Sequence, residues 1–177
     1  MNVPDHAHRP DPGTALAALR AGHARFRSGE PPAPAAGAEP LAAVLACAEP
    51  QPEPGILFGG SELFTVRTAG LSIGPAVLGS LEYAVAQLHL PLLVVLGHQC
   101  CRLAPGNGDG RVRAVAAALR HRSPLLDAAV RSGHCAIHGM TWDDTRQLVR
   151  SVRRVEPAPV RRPARSRPPS RRVAGLR

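Results

Sequence analysis

The order of apolar and polar positions divides the chain into short segments of two kinds. Leu16, Leu19, His23 and Phe26 recur at three- and four-residue spacing. That spacing predicts a short amphipathic helix, capped by Thr14 and ended by Ser28-Gly29. Leu41 to Cys47, Leu63 to Arg67 and Pro91 to Leu96 are strand-length and largely apolar, the last containing an unbroken Leu-Leu-Val-Val-Leu. Such runs predict parallel strands buried on both faces. Between the second and third, Pro75 suits a first helical turn, and Val77, Leu81, Ala84, Val85 and Leu88 share one helical face. Val112, Val115, Ala116 and Leu119 predict another helix, Pro124 to Val130 a shorter one, and Cys135 to Met140 a last strand. The alternation makes the fold class α/β, with a mostly parallel sheet flanked by helices.

All the periodic segments lie in residues 14–150, which are expected to form one domain. Residues 1–13 carry no apolar pattern and are expected to be disordered. From Ser151 the periodicity stops, and residues 151–177 hold nine Arg and one Glu among Pro, Ala and Ser. Such a segment buries too little apolar surface to offset its ordering entropy, so a disordered tail is expected. The tail also accounts for +8 of the formal charge of +9. The body is therefore near neutral, and the tail is expected to be an ordinary solvated one, with nucleic-acid binding through it the disfavoured alternative. Only 3% of the residues are aromatic, so the core must be built from Ala, Val and Leu. No stretch reaches the roughly 18 apolar residues of a membrane span, and residues 1–12 contain no apolar leader-like segment. The expected location is cytoplasmic, with no membrane partner.

Four cysteines, two of them adjacent, fit a disulfide scaffold poorly in such a chain, which turns attention to metal or thiol chemistry. Cys47 closes one expected strand, and His98 follows Gly97 just beyond another. Ligands gather at the carboxyl ends of strands in open parallel sheets, so these two residues are expected to converge across 51 positions. Cys101 stands three residues past His98, at the expected start of the next helix, where i and i+3 share a face; it is preferred to Cys100. Two thiolates, one imidazole and an open fourth position suit catalytic zinc. A helix N-terminus would also stabilise the Cys101 thiolate. Spacing alone does not separate metal binding from ordinary burial of a small thiol. A disulfide between adjacent Cys100 and Cys101 would be strained, which makes thiol redox chemistry the weaker alternative.

Four stretches add to this: Cys47-Ala48-Glu49; Leu63-Phe64-Thr65-Val66-Arg67-Thr68-Ala69-Gly70; Ala76-Val77-Leu78-Gly79-Ser80-Leu81-Glu82-Tyr83-Ala84-Val85; and Leu93-Val94-Val95-Leu96-Gly97-His98-Gln99-Cys100-Cys101. In order and content they resemble the core of bacterial β-class carbonic anhydrases. The likeness extends from the helix around Leu19 to Gly29 through Ile137-His138-Gly139-Met140 and Asp143 to Val149, covering residues 14–150. It implies a Rossmann-like sheet, zinc on Cys47, His98 and Cys101, no organic cofactor, and hydration of carbon dioxide to bicarbonate and a proton. Zinc lowers the pKa of its bound water from 15.7 to about 7, which makes hydroxide available at neutral pH. The resemblance also implies a homodimer or higher homo-oligomer, with the N-terminal helix packed on a partner subunit. Val66, Leu71 and Tyr83 are candidate walls of an apolar substrate pocket.

The chain departs from the family pattern at this site. The family reads Cys-Ala-Asp-Ser-Arg where this sequence has Cys47-Ala48-Glu49-Pro50-Gln51. Glu49 keeps a carboxylate on a longer arm and is the catalytic candidate, either accepting a hydrogen bond from zinc-bound water or ligating the metal. Gln51 lacks the charged bidentate clamp of an arginine. The loop at 58–62 is shorter than usual, Leu71 replaces an Asn, and Cys100 replaces a small polar residue. Arg102 replaces a Gly, where its guanidinium would either occlude the metal or attract bicarbonate. A helical segment is missing around residues 104–110. These changes motivate the alternative of a catalytically impaired zinc-binding homologue acting as a binding or sensor protein. His23, His89, His121, His134 and His138 are expected on surfaces or in satisfied hydrogen bonds, and Cys135 as a strand residue.

Overall fold

The computed structural model describes residues 9–32, 39–103, 105 and 108–152. The Arg-rich segment from 153, residues 1–8 and most of the linker at 30–40 lie outside the described residues. In chain order the elements are α1 (Pro12–Ser28), β1 (Ala42–Cys47), α2 (Pro54–Leu57), β2 (Leu63–Thr68), α3 (Pro75–Ala86), β3 (Leu92–His98), α4 (Gly108–Arg122), α5 (Pro124–Arg131), β4 (Ala136–Asp143) and β5 (Leu148–Ser151). The strands form one sheet in the order β2-β1-β3-β4-β5, parallel except for the β4/β5 pair. No helix among the described residues is long and apolar enough to cross a membrane.

The unbroken apolar runs have a direct cause. In β1, Ala43, Leu45 and Cys47 face one core layer while Ala42, Val44 and Ala46 face the other; in β3, Leu93 and Val95 alternate in the same way with Leu92, Val94 and Leu96. The first layer is closed by α3, α4 and α5 through Leu81, Val85, Val112, Leu119 and Leu126. The second is closed by α1 and α2 through Ala15, Leu19, Leu57 and Phe58. Helix α1 packs through Ala15 and Leu19 on the sheet of its own chain. Two close approaches set the layers. A Cβ on Gly22 of α1 would stand 2.1 Å from the Phe58 carbonyl oxygen, and Cβ atoms on Gly97 and Gly139 would stand 2.5 and 2.7 Å from the methyls of Val112. The last two glycines form a slot on adjacent strands into which α4 drops its valine.

Several element ends differ from expectation. Asp11, not Thr14, caps α1: its Oδ1 accepts from the N–H groups of Gly13 (2.8 Å) and Thr14 (3.1 Å), because Pro12 fits the first helical position and moves the cap upstream. The sheet does not end with β4. β5 turns back against it and carries the chain to Ser151, with Val152 buried behind it. Asp109 ties α4 to this edge, its carboxylate taking a bidentate pair from Arg150 (2.7 and 2.9 Å) and a bond from the Thr141 hydroxyl (2.8 Å). Burial pushes the Asp109 carboxyl up, but these donors outweigh it and hold the group below the usual carboxylate range.

His23 is the buried polar group of the α1 layer, among Phe26, Phe58 and Trp142. The Val149 N–H can only donate, so it fixes Nε2 as an acceptor (2.8 Å), and Nδ1–H donates to the Leu57 carbonyl (2.9 Å). Burial lowers the His23 pKa, Arg27 adds to the effect, and the Leu57 bond opposes it. The stabilisation linked to neutral His23 is complete above the ordinary value near 6.5. As pH falls below that value the unfolded chain takes up a proton that the folded chain refuses, so stability drops by up to about 1.4 kcal/mol per pH unit. The loss ends once pH passes below the depressed native pKa. Urea unfolding at pH 7.5, 6.5 and 5.5 should show this slope, and His23→Gln should flatten it by up to one proton.

Candidate metal centre

The site forms where β1 and β3 end side by side. Leu96 is in register with Ala46, so Cys47 and His98, at the ends of their strands, come out on the same rim of the sheet. Cys101 lies in the turn that follows β3. It is not at a helix start, since α4 begins only at Gly108, where the apolar period leading to Val112 resumes. Gly108 must lack a side chain, because a Cβ there would meet the His98 carbonyl oxygen at 2.9 Å.

One ligand atom each from Cys47, Glu49, His98 and Cys101 lies within 4.8 Å of all the others. The Cys47 and Cys101 sulfurs are 3.8 Å apart. Two thiolates on a tetrahedral zinc, each at about 2.3 Å, would stand about 3.8 Å apart, whereas a disulfide needs about 2.05 Å. His98 Nε2 is buried and has no hydrogen-bond partner, although Glu49 Oε2 is only 3.3 Å away. A buried imidazole nitrogen left without a bond is costly unless something else fills the space it faces. Donor set, spacing and orphaned nitrogen all fit a zinc ion.

The surroundings are built by two arginines. Arg67 of β2 donates from Nε to the Cys47 carbonyl (3.0 Å), from Nη2 to the Glu49 carbonyl (2.9 Å) and from Nη1 to Glu53 (2.6 Å), which fixes the loop after the first cysteine. Arg111 of α4 donates from Nε and Nη2 to the Gly70 carbonyl (3.0 and 2.7 Å). That pins a turn in which Gly70 (φ 58°) and the buried Leu71 (φ 59°) are both left-handed. A left-handed leucine costs about 1–2 kcal/mol, and here it aims the side chain at the metal rim. Sequence reasoning missed both arginines in these roles. Arg67 left a signal as the lone charge in an otherwise uncharged strand, but Arg111 left none.

The cavity at the rim is lined by Cys47, Gly70, Leu71, Gly97, His98, Cys101, Gly108 and Arg111, and its volume is roughly 10 Å³, about the room of one water. Leu71 is a wall as expected. Val66 is not, because its register partner is Leu45, two residues below the end of β1. Tyr83 is not either; it is half exposed on α3 and packs on Phe64.

Glu49 is only 8% exposed. Both carboxylate oxygens accept from the Arg102 N–H (3.1 and 3.2 Å), and Oε1 also accepts from Arg102 Nε (3.3 Å). Burial pushes the Glu49 carboxyl up, but the Arg102 bonds and the His98 ring outweigh it and hold it below the usual range. Gln51 turns away, donating to the Cys47 carbonyl at 3.3 Å while its Oε1 stays buried without a partner. Cys100 is exposed, and burial pushes the Cys135 thiol up to about 12, so it stays protonated.

The family profile for carbonic anhydrase matches residues 42–105. Carbonic anhydrase 2 of Mycobacterium tuberculosis is 34% identical over 193 aligned positions, which take in 79% of this chain and 93% of the relative. Carbonic anhydrase of Mycolicibacterium smegmatis is 45% identical over 103 positions, 51% of this chain and 50% of that one. Among solved structures, a tetrameric β-carbonic anhydrase of Sordaria macrospora superposes with a TM-score of 0.56 at 18% identity, over 79% of this chain and 92% of the other. The carbonic anhydrase of Streptococcus mutans gives 0.54 at 20% identity, over 76% and 95%.

Proposed function

Because this chain belongs to the β-class carbonic anhydrase family, we propose that it binds one zinc ion through Cys47, His98 and Cys101 and catalyses the reversible hydration of carbon dioxide to bicarbonate. The observation that carries the reading is the paired thiols 3.8 Å apart beside a buried imidazole nitrogen without a hydrogen bond. Bound there, zinc supplies the Lewis acidity that brings the ionisation of water into the neutral range. The chain's own groups do the rest. Glu49 presents an ionised carboxylate as hydrogen-bond acceptor beside the metal face and orients the nucleophile. Arg67 keeps Cys47 and Glu49 in fixed relation by holding both carbonyls. Leu71, Gly70 and Gly97 give the substrate side an apolar wall that excludes bulk water.

A second reading has its own support. A water-sized cavity between Leu71 and Arg111 and a Gln51 turned away from Glu49 favour a catalytically impaired zinc-binding homologue acting as a binding or sensor protein. A shortened chain adds to this: the alignment runs over 193 positions yet takes in 79% of 177 residues, so the relative carries stretches this chain lacks. Assembly into a homodimer or higher homo-oligomer and a cytoplasmic location complete the proposal. Stopped-flow carbon dioxide hydration on zinc-loaded full chain, against the zinc-stripped sample, separates the readings. The first expects a zinc-dependent rate above buffer; metal binding with no rate above buffer favours the second.

A further inference from the structure

We infer that Arg111 is the door of the metal cavity and that it sets the size of molecule able to reach the fourth metal position. The inference rests on the zinc reading above. The cavity touches all three proposed ligands, Cys47, His98 and Cys101, and its roughly 10 Å³ leaves room for about one water. Among the residues that line it, Cys47, Gly70, Leu71 and Gly97 are buried, and Arg111 alone is exposed. A molecule arriving from solvent past these residues therefore meets the Arg111 side chain first. The carbon dioxide proposed as substrate is longer than a water, so it too needs this side chain to give way.

The frame around the door is fixed. Val112, the next residue of α4, sits so close to β3 and β4 that Cβ atoms on Gly97 and Gly139 would stand 2.5 and 2.7 Å from its methyls. Asp109 ties the same turn of the helix to Arg150 and Thr141. On the opposite side, the turn at Gly70 and Leu71 is closed by its own bonds, since the Ser72 N–H and hydroxyl both donate to the Ala69 carbonyl (3.1 and 2.6 Å). Leu71 is 3% exposed and covers the end of β3, its Cδ1 standing 3.8 Å from where a Cβ on Gly97 would lie. What is left to move is the Arg111 guanidinium. Among the described residues, its two bonds, from Nε and Nη2, go to the single neutral carbonyl of Gly70, and no carboxylate pairs with it. A bidentate arginine–carboxylate pair, such as Arg150 on Asp109, is the stronger grip. Arg111 is therefore a latch that opens while both walls stay.

The test uses the full chain loaded with one equivalent of cobalt(II), with azide as a slender probe and benzenesulfonamide as a bulky one, each read from the visible cobalt spectrum. Both bind a metal as nitrogen anions, so losing a positive charge weakens both, and the ratio of their affinities isolates size. Wild type should bind azide well and benzenesulfonamide poorly. Arg111→Met keeps an apolar stem but loses both donors, and Arg111→Ala removes the door. The ratio of benzenesulfonamide to azide affinity should rise by about tenfold or more in Arg111→Met and further in Arg111→Ala. A merely structural role would not move this ratio. A ratio unchanged in both variants would overturn the inference, and a fall in azide affinity alongside it would make Arg111 only an attractor of anions. Wild type that binds benzenesulfonamide as tightly as Arg111→Ala does would overturn it too. Failure of wild type to bind one metal per chain would instead overturn the zinc reading, and metal analysis of the same samples distinguishes that case.

Discussion

Replacing Cys47 with alanine should drop bound zinc from one per chain to below a tenth after dialysis, and carbon dioxide hydration should vanish with it. Three protein groups hold the ion in the proposed site, and a thiolate is the strongest donor type among them for zinc. Nothing nearby substitutes for it. Cys100 is exposed, Cys135 lies outside the cluster with its thiol held protonated, and Glu49 is engaged by Arg102. An affinity loss of at least a thousandfold, about 4 kcal/mol, is therefore expected. The fold should largely survive, since Cys47 to Ala removes a single sulfur at the end of a strand whose neighbours Ala46 and Leu45 remain packed. Inductively coupled plasma analysis and circular dichroism on the same preparation check both halves. Retained zinc in the Cys47→Ala variant would remove this cysteine from the ligand set.

The second large effect concerns α1. An alanine in a helix interior ordinarily gains up to about 1 kcal/mol over glycine, yet Gly22→Ala should destabilise the chain by about 2–3 kcal/mol. Its Cβ would stand 2.1 Å from the Phe58 carbonyl oxygen and 2.7 Å from the carbonyl carbon, so backbone, not a yielding side chain, blocks it. The contact is reciprocal: a Cβ on Gly59, at φ 69°, would meet the Gly22 oxygen at 2.5 Å. Helix α1 would have to retreat, opening the layer that holds Leu19, His23 and Trp142. A melting-temperature drop of about 10 °C is expected for a domain of this size. Gly79→Ala in α3, with nothing within 4 Å of the new methyl, is the control and should be neutral or slightly stabilising. Equal melting temperatures for the Gly22→Ala and Gly79→Ala variants would show that α1 does not sit against Phe58.

Much of this was legible in the sequence because the signals were local. Unbroken apolar runs marked β1 and β3, since both faces of each strand are buried, and the ends of those runs placed Cys47 and His98 on one rim. Cys101 lies in the cluster and Cys100 does not, although the turn after β3 lacks the helix geometry by which the sequence favours Cys101. Other features depend on contacts between distant segments, which leave no local trace. Arg102 could be read either as a plug or as a lure for bicarbonate until its N–H was seen on Glu49. Val66 is a candidate pocket wall in the sequence, but its register with Leu45 sets it below the rim. β5 went unread because a four-residue antiparallel edge strand containing Arg150 has no apolar run to show. The glycine slots at Gly22, Gly97 and Gly139 record neighbours that only the folded chain supplies.

The zinc site is the centre of the account, and zinc K-edge X-ray absorption on the full chain carrying one equivalent of metal tests it most directly. The ligand set Cys47, His98 and Cys101 predicts two sulfurs at about 2.3 Å and two nitrogen or oxygen atoms at about 2.0–2.1 Å. A first shell with three or four sulfurs, or with none, would contradict it.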